Sequence, residues 1–201
     1  MKENIDVKEI IIEYKNDLLN QYKENKNSVL YFEYIRKFEG FIDCLVLLGD
    51  IPKSKKEIYI TKLKKELYQI ERDEAISKWQ KEIKKLEENL KLNEEFVNSE
   101  VFELIRLWYI EKKSDAKNNA LDKLMEFNEK NEHINIESGG GALLLYVDYY
   151  NTSYVFDYAY MKPDPLIKFE ESKQRTLEKI KEYSDLINNY PEFEERKKNE
   201  H

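Results

Sequence analysis

The sequence predicts a mainly α-helical protein with a small antiparallel β-hairpin or sheet. This is an α+β fold, a helical bundle with a long coiled-coil-like helical arm. Three observations carry it. Apolar residues recur at three- and four-residue steps through most of the 201 residues, the period of a helix with one buried face. No proline lies between Pro52 and Pro163, so helices can run uninterrupted through the middle of the chain. One stretch, Ala142 to Met161, is β-branched and aromatic and follows three consecutive glycines, which marks strands joined by turns. The length predicts a single domain over 1–201.

The first two helices form a hairpin over 1–50. Asp6, followed three residues later by Glu9, has the spacing of a capping box, whose side chains accept the free amides of a first turn. Val7, Ile10, Ile11, Tyr14, Leu18 and Tyr22 then form one apolar stripe. The second helix runs from Ser28 to Leu48 on Tyr31, Ile35, Phe38, Ile42, Leu45 and Leu48, widened by Phe32, Phe41, Val46 and Leu47. This width predicts a C-terminal half buried nearly all round. Cys44 is expected there as a small buried hydrophobe. Gly49 suits the left-handed position after a helix, and Pro52 blocks continuation.

The arm spans 54–97. Ser54 and Glu57 repeat the capping-box spacing. Ile60, Leu63, Leu67 and Ile70 form one narrow seam, and Ile76, Trp79, Ile83, Leu86 and Leu90 a second. Six residues separate the two, so the seams are out of phase, and a bend or break is expected within Glu71 to Ala75. Helical segments follow over 100–131. The run from Val101 to Ile110 is apolar on nearly every side and reads as a buried helix, with a strand as the alternative. Ser114 caps a helix through Lys130 with Ala120, Leu121, Leu124, Met125 and Phe127 inward.

The β region covers 133–161. His133 to Glu137 alternates, and Ala142 to Met161 turns at Asn151-Thr152. A loop of two or four residues there pairs Tyr149 with Tyr154. One face then carries Leu143, Leu145, Val147, Tyr149, Tyr154, Phe156, Tyr158 and Tyr160. The other carries Leu144, Tyr146, Asp148, Tyr150, Ser153, Val155, Asp157 and Ala159. Asp164-Pro165, an N-cap with proline at the first helical position, opens the last helix over 164–190. Its apolar set is Ile167, Phe169, Leu177, Ile180, Tyr183 and Ile187, and a charged, frayed tail follows Pro191. The 28–48 helix, the 101–110 segment and one hairpin face are expected to share a core.

Composition excludes several classes of function. One cysteine rules out an internal disulfide framework and a Cys-rich zinc site. Two histidines, one of them the last residue, argue against a histidine-rich metal centre. The net charge of −7 argues against direct nucleic-acid binding, which needs a basic face. The lysine pairs Lys55-Lys56, Lys64-Lys65, Lys84-Lys85 and Lys112-Lys113 are interleaved with glutamates and read as solvated helix surface. No apolar run of about 18 residues exists and the first residues lack the apolar stretch of a secretory signal, so neither a membrane span nor a leader is expected. A cytoplasmic protein is the expectation, and the excess of Lys over Arg with abundant Asn and Ile points to a low-GC bacterium or its phage.

The candidate sites are few. Tyr146, Tyr149, Tyr150, Tyr154, Tyr158 and Tyr160 crowd the hairpin, and tyrosine offers large contact area at low entropy cost, which suits a recognition surface. The plainer account is a core sheet with hydroxyls reaching the rim. Asp148 and Asp157 share a face, diagonally across the strands, and are the candidate metal or acid pair. Gly139, Gly140 and Gly141 resemble an anion-binding loop only weakly, because no helix or Gly-Lys-Ser ending follows. His133, the one internal histidine, sits at a helix-to-strand junction. No catalytic residue, metal or cofactor is assigned.

The leading expectation is therefore a non-catalytic protein-binding module, such as an inhibitor, immunity or anti-defence protein, that occludes a partner with a basic surface. The alternatives are a metal-dependent enzyme acting on a phosphate-containing substrate through Asp148 and Asp157, and a self-associating protein whose Ile76, Trp79, Ile83, Leu86 and Leu90 form a coiled coil between chains.

Overall fold

The computed structural model describes residues 6–25, 28–110, 114–139, 144–150, 152–157 and 164–194. The fold is mainly helical with one small antiparallel sheet. Its elements are α1 (Val7–Glu24), α2 (Ser28–Leu47), a 3₁₀ turn (Lys53–Lys55), α3 (Lys56–Val97), α4 (Glu100–Ile110), α5 (Ser114–Lys130), β1 (Ile134–Gly139), β2 (Leu144–Tyr149), β3 (Thr152–Asp157) and α6 (Pro165–Asn188). None of the described helices is long and apolar enough to cross a membrane. The chain falls into two compact units, one of residues 1–79 and 187–201, the other of 80–186. Because α3 belongs partly to each, two cores do not amount to two segments of sequence.

The first unit packs α1, α2 and the first half of α3. Asp6 caps α1, its Oδ1 accepting from the Lys8 N–H at 2.9 Å. Tyr14 meets Phe41 at 4.5 Å and Tyr22 meets Tyr34 at 5.8 Å between ring centres, so α1 and α2 run antiparallel. Ile11, Leu18, Phe38, Ile42, Leu63 and Leu67 lie at the centre of the core. Lys15 is nearly buried there and donates to both Glu66 carboxylate oxygens, at 2.6 and 2.7 Å. A buried charge is tolerated only when paired in this way. Tyr22 donates to Glu71 at 2.7 Å, and burial together with that carboxylate pushes its pKa well above the ordinary phenol value.

The α2 terminus has the expected geometry. Gly49 takes φ 79°, its N–H donates to the Val46 carbonyl at 3.1 Å, and the Asp50 N–H donates to the Leu45 carbonyl at 3.0 Å. That bond pair closes a helix through a left-handed residue. Burial at this end is narrower than expected. Leu47 is 86 % exposed, Leu48 faces outward as well, and Cys44 is exposed, as is Phe32 near the other end of the helix. Cys44 is two residues from buried Ile42, about 200° around the helix at 100° per residue, which puts it on the far side.

α3 corrects two further expectations. Ser54 does not cap it. The chain enters through the 3₁₀ turn, with the Lys55 N–H donating to the Pro52 carbonyl at 2.9 Å and no side-chain cap on that turn. Nor does the helix break within Glu71 to Ala75, since it is continuous over 42 residues. It contains no glycine or proline, so a phase shift only rotates the apolar stripe by roughly a third of a turn. The first seam fills the core of the first unit, and the residues of the second seam are half-buried. The segment after α6 is not frayed as far as Glu194. Tyr68 donates to the Pro191 carbonyl, its ring meets Phe193 at 5.6 Å, and Lys65 reaches Glu194 at 2.8 Å. Apolar rings in the tail give these charged residues a place to dock.

The second unit has its own core, so the expected joint core of α2 with the hairpin does not form. Phe96, Val101, Phe102, Ile105, Trp108, Leu124, Ile136, Leu145 and Val147 are fully or almost fully buried in it. The 101–110 run is the helix α4, started by Ser99, whose Oγ accepts from the Phe102 N–H at 3.2 Å. The side chain of Ser114 lies outside the described residues. Asp164 caps α6 by accepting from the Leu166 N–H at 3.0 Å. Ile167 and Leu177 point outward, while Leu166 and Phe169 pack on the core.

Candidate interaction surface

The sheet has the order β1-β2-β3, antiparallel throughout. Tyr149 pairs with Thr152 and Val147 with Tyr154. The loop is therefore two residues, and Tyr150 takes φ 43°, the left-handed region such a loop demands. Relative to the expected pairing of Tyr149 with Tyr154, the register is shifted by two. An even shift leaves each residue on its expected face.

The inner face holds Ile134, Ile136, Leu145, Val147, Tyr149, Thr152, Tyr154 and Phe156. Phe96 organises it, stacking on Tyr154 with centroids 4.2 Å apart and planes at 10°, and meeting Tyr149 at 5.0 Å and Phe169 at 5.8 Å. Tyr154 donates to Asn93 Oδ1 at 2.7 Å, and burial, then the neighbouring Tyr149, raises its pKa to about 12. Tyr149 and Tyr154 are thus mainly packing residues, while Tyr146 and Tyr150 are exposed. Tyr158 and Tyr160 lie outside the described residues.

The outer face is a grid of three rows. Asn135, Asp148 and Ser153 form one, Glu137, Tyr146 and Val155 the next, and Gly139, Leu144 and Asp157 the last. At its middle Tyr146 is 46 % and Val155 61 % exposed. Glu137, Asp148 and Asp157 surround them, with no lysine or arginine in the grid. The two aspartates do not converge. Asp148 faces Ser153 and Asp157 faces Leu144, four positions along the strand, about 13 Å at 3.3 Å per residue. Asp148 instead accepts from Ser153 Oγ at 2.5 Å. Gly139 ends β1 on the outer face, against the Tyr146 ring, whereas Gly140 and Gly141 lie outside the described residues. His133 stacks on Tyr150 at 5.2 Å beside a shallow hollow with Asp148 and Ser153. Among the described residues no group of three or more His, Cys, Asp or Glu stands ready to hold a metal ion.

The two sheet edges differ. The Tyr150 N–H donates to the His133 carbonyl at 3.1 Å, so the even-numbered residues of β2 face β1 and the odd-numbered ones face β3. On β1, Ile134 and Ile136 then point their peptides away from the sheet. Both find partners on α5 or on the residue that follows it. The Ile134 N–H donates to the Asn131 carbonyl at 3.3 Å, and Asn128 takes the Ile136 N–H on Oδ1 at 2.9 Å while its Nδ2 donates to the Ile136 carbonyl at 3.4 Å. On β3 the outward peptides belong to Ser153 and Val155. Beside them opens a cleft of about 260 Å³ whose walls include Tyr109, Phe156, Phe169, Asp157 and Lys168.

Sequence reasoning placed the aromatic hairpin and its two faces, and missed Asn128, Asn93, Phe96 and Arg106. Arg106 of α4 grips Asp164 through two nitrogens, at 2.6 to 3.0 Å. None of these four carries a local signal, because each acts on a residue distant in sequence or on another element. Comparison of the chain with protein-family models, with curated proteins and with solved structures found no match.

Proposed function

We propose that the protein is a non-catalytic binding module of the cytosol that occludes a basic surface on a partner protein, in the manner of an inhibitor, immunity or anti-defence protein of a low-GC bacterium or phage. One observation carries the reading: an apolar pair, Tyr146 and Val155, stands exposed on a sheet face whose charged residues, among the described ones, are the acids Glu137, Asp148 and Asp157. Apolar area ringed by polar groups marks protein contact surfaces, and tyrosine is favoured at their centres. The acids, with a net charge of −7, steer a basic partner inward.

The other two readings have less support. The metal-enzyme reading needs two carboxylates on one ion, and Asp148 and Asp157 are four strand positions apart. The homodimer reading uses the seam Ile76, Trp79, Ile83, Leu86 and Leu90, yet Trp79 already rests on Tyr190 of the same chain at 5.9 Å.

The test is affinity capture from the source organism with wild type and with a Tyr146→Arg, Asp148→Lys double variant, followed by on-rate measurement against salt. The expected result is one specific partner, lost in the variant, whose association slows as salt rises. Equal capture by both proteins, or an on-rate indifferent to salt, overturns the reading.

A further inference from the structure

We infer that the edge of β3 at Ser153 and Val155, which no other described residue pairs with, receives an extended segment of the partner as a fourth strand, one that alternates apolar residues with lysine or arginine. This rests on the protein-binding reading and names how the partner is held. The parity fixed by the Tyr150–His133 bond turns the peptides of Ser153 and Val155 outward. Unpaired strand edges are templates for another strand, and folds that do not use them cover or blunt them. β1 is blunted in this way by Asn128 and Asn131. Nothing comparable is found at Val155 among the described residues, and β3 carries no proline or lysine.

The surroundings specify the side chains of the incoming segment. Residues alternate between faces along a strand. Those on the inner side meet the 260 Å³ cleft, floored by Tyr154, Phe156 and Phe169. That volume is below the roughly 300–1,000 Å³ of small-molecule sites and suits one or two apolar side chains. Those on the outer side lie beside Ser153 and Val155, in a face where Asp148 and Glu137 stand and where β1, β2 and β3 place no lysine or arginine among the described residues. Charge complementarity there selects lysine or arginine. Main-chain bonds supply affinity and the alternating pockets supply selectivity, as in other strand additions.

The experiment uses the full chain, ¹⁵N-labelled, with amide exchange read by NMR, and the peptide acetyl-(Lys-Leu)₃-amide as probe. In the free protein the Ser153 and Val155 amides exchange fast while those of Tyr154 and Phe156 are protected. The peptide slows the Val155 amide at least tenfold, and a (Glu-Leu)₃ peptide does not. Val155→Pro removes the outward donor at a position where an edge strand tolerates proline, and weakens binding of the probe at least tenfold, whereas Val155→Thr retains it. N-methylation of alternate peptide amides abolishes binding to wild type, a result that stands even if the proline variant does not fold. A Val155 amide already protected in the free monomer shows the edge covered by the chain itself. Protection that depends on protein concentration and vanishes with a monomeric Val155→Pro variant shows a second copy as occupant. Either result overturns the proposal, as does no slowing of Val155 by the peptide. If the natural partner is lost by the Tyr146→Arg, Asp148→Lys variant but kept by a folded Val155→Pro variant, strand pairing fails and the binding reading survives. If both variants keep it, both fail.

Discussion

Asn128 holds Ile136 as a neighbouring strand would, accepting its N–H at 2.9 Å and donating to its carbonyl at 3.4 Å. One side-chain amide on α5 thereby stands in for a peptide unit and closes the edge of β1. Ile136 is 2 % exposed, so without Asn128 its peptide lacks both this partner and ready access to water.

Asn128→Ala is expected to destabilise the protein by about 1–3 kcal/mol, the cost of leaving a buried donor or acceptor unmet. It also opens the β1 edge, so concentration-dependent association is expected alongside. Urea denaturation checks the first effect and sedimentation the second. Unchanged stability would show that Asn128 and Ile136 are not coupled in solution.

Asp164 both caps α6 and pairs with Arg106. The Arg106 guanidinium holds its carboxyl below the usual carboxylate range, against burial, which pushes the other way, with help from the Leu166 N–H. A folded-state pKa lowered below the unfolded one contributes stability that is present above the unfolded value, about 3.9, and is lost as pH falls through the folded value. Asp164→Asn keeps a competent cap and removes the charge. It is expected to be less stable than wild type at pH 7, with the difference shrinking below pH about 4. Asp164→Ala loses the cap as well, worth about 1 kcal/mol more. Denaturation midpoints at pH 7 and pH 3 check both, and a gap that widens in acid contradicts the assignment.

Cys44 is exposed on α2. The native protein is therefore expected to react with a thiol reagent such as DTNB to one equivalent without denaturant. Cys44→Ser is expected to change stability by less than about 0.5 kcal/mol, as for surface positions generally. Reaction only after unfolding would place the thiol in the core.

What the sequence determined by itself was local. Helix periods, the Asp6 and Asp164 caps, the left-handed Gly49 and the two faces of the hairpin follow from groups within a turn or two of each other, and such groups need no knowledge of the rest of the chain. Even the hairpin register, read two residues off, left the faces intact because side chains alternate with a period of two. Tertiary structure alone decided the rest. Apolar stripes announce that they will be buried but not against what, so one expected core became two and Cys44 ended on the uncovered side of its helix. The phase shift in α3 was read as a bend or break because the two seams fall on different sides of one helix. Which sheet edge is closed depends on where a single amide on α5 comes to rest. Long-range placement of this kind is set by competition among many similar apolar and hydrogen-bonding partners, and no local pattern in the chain records its outcome.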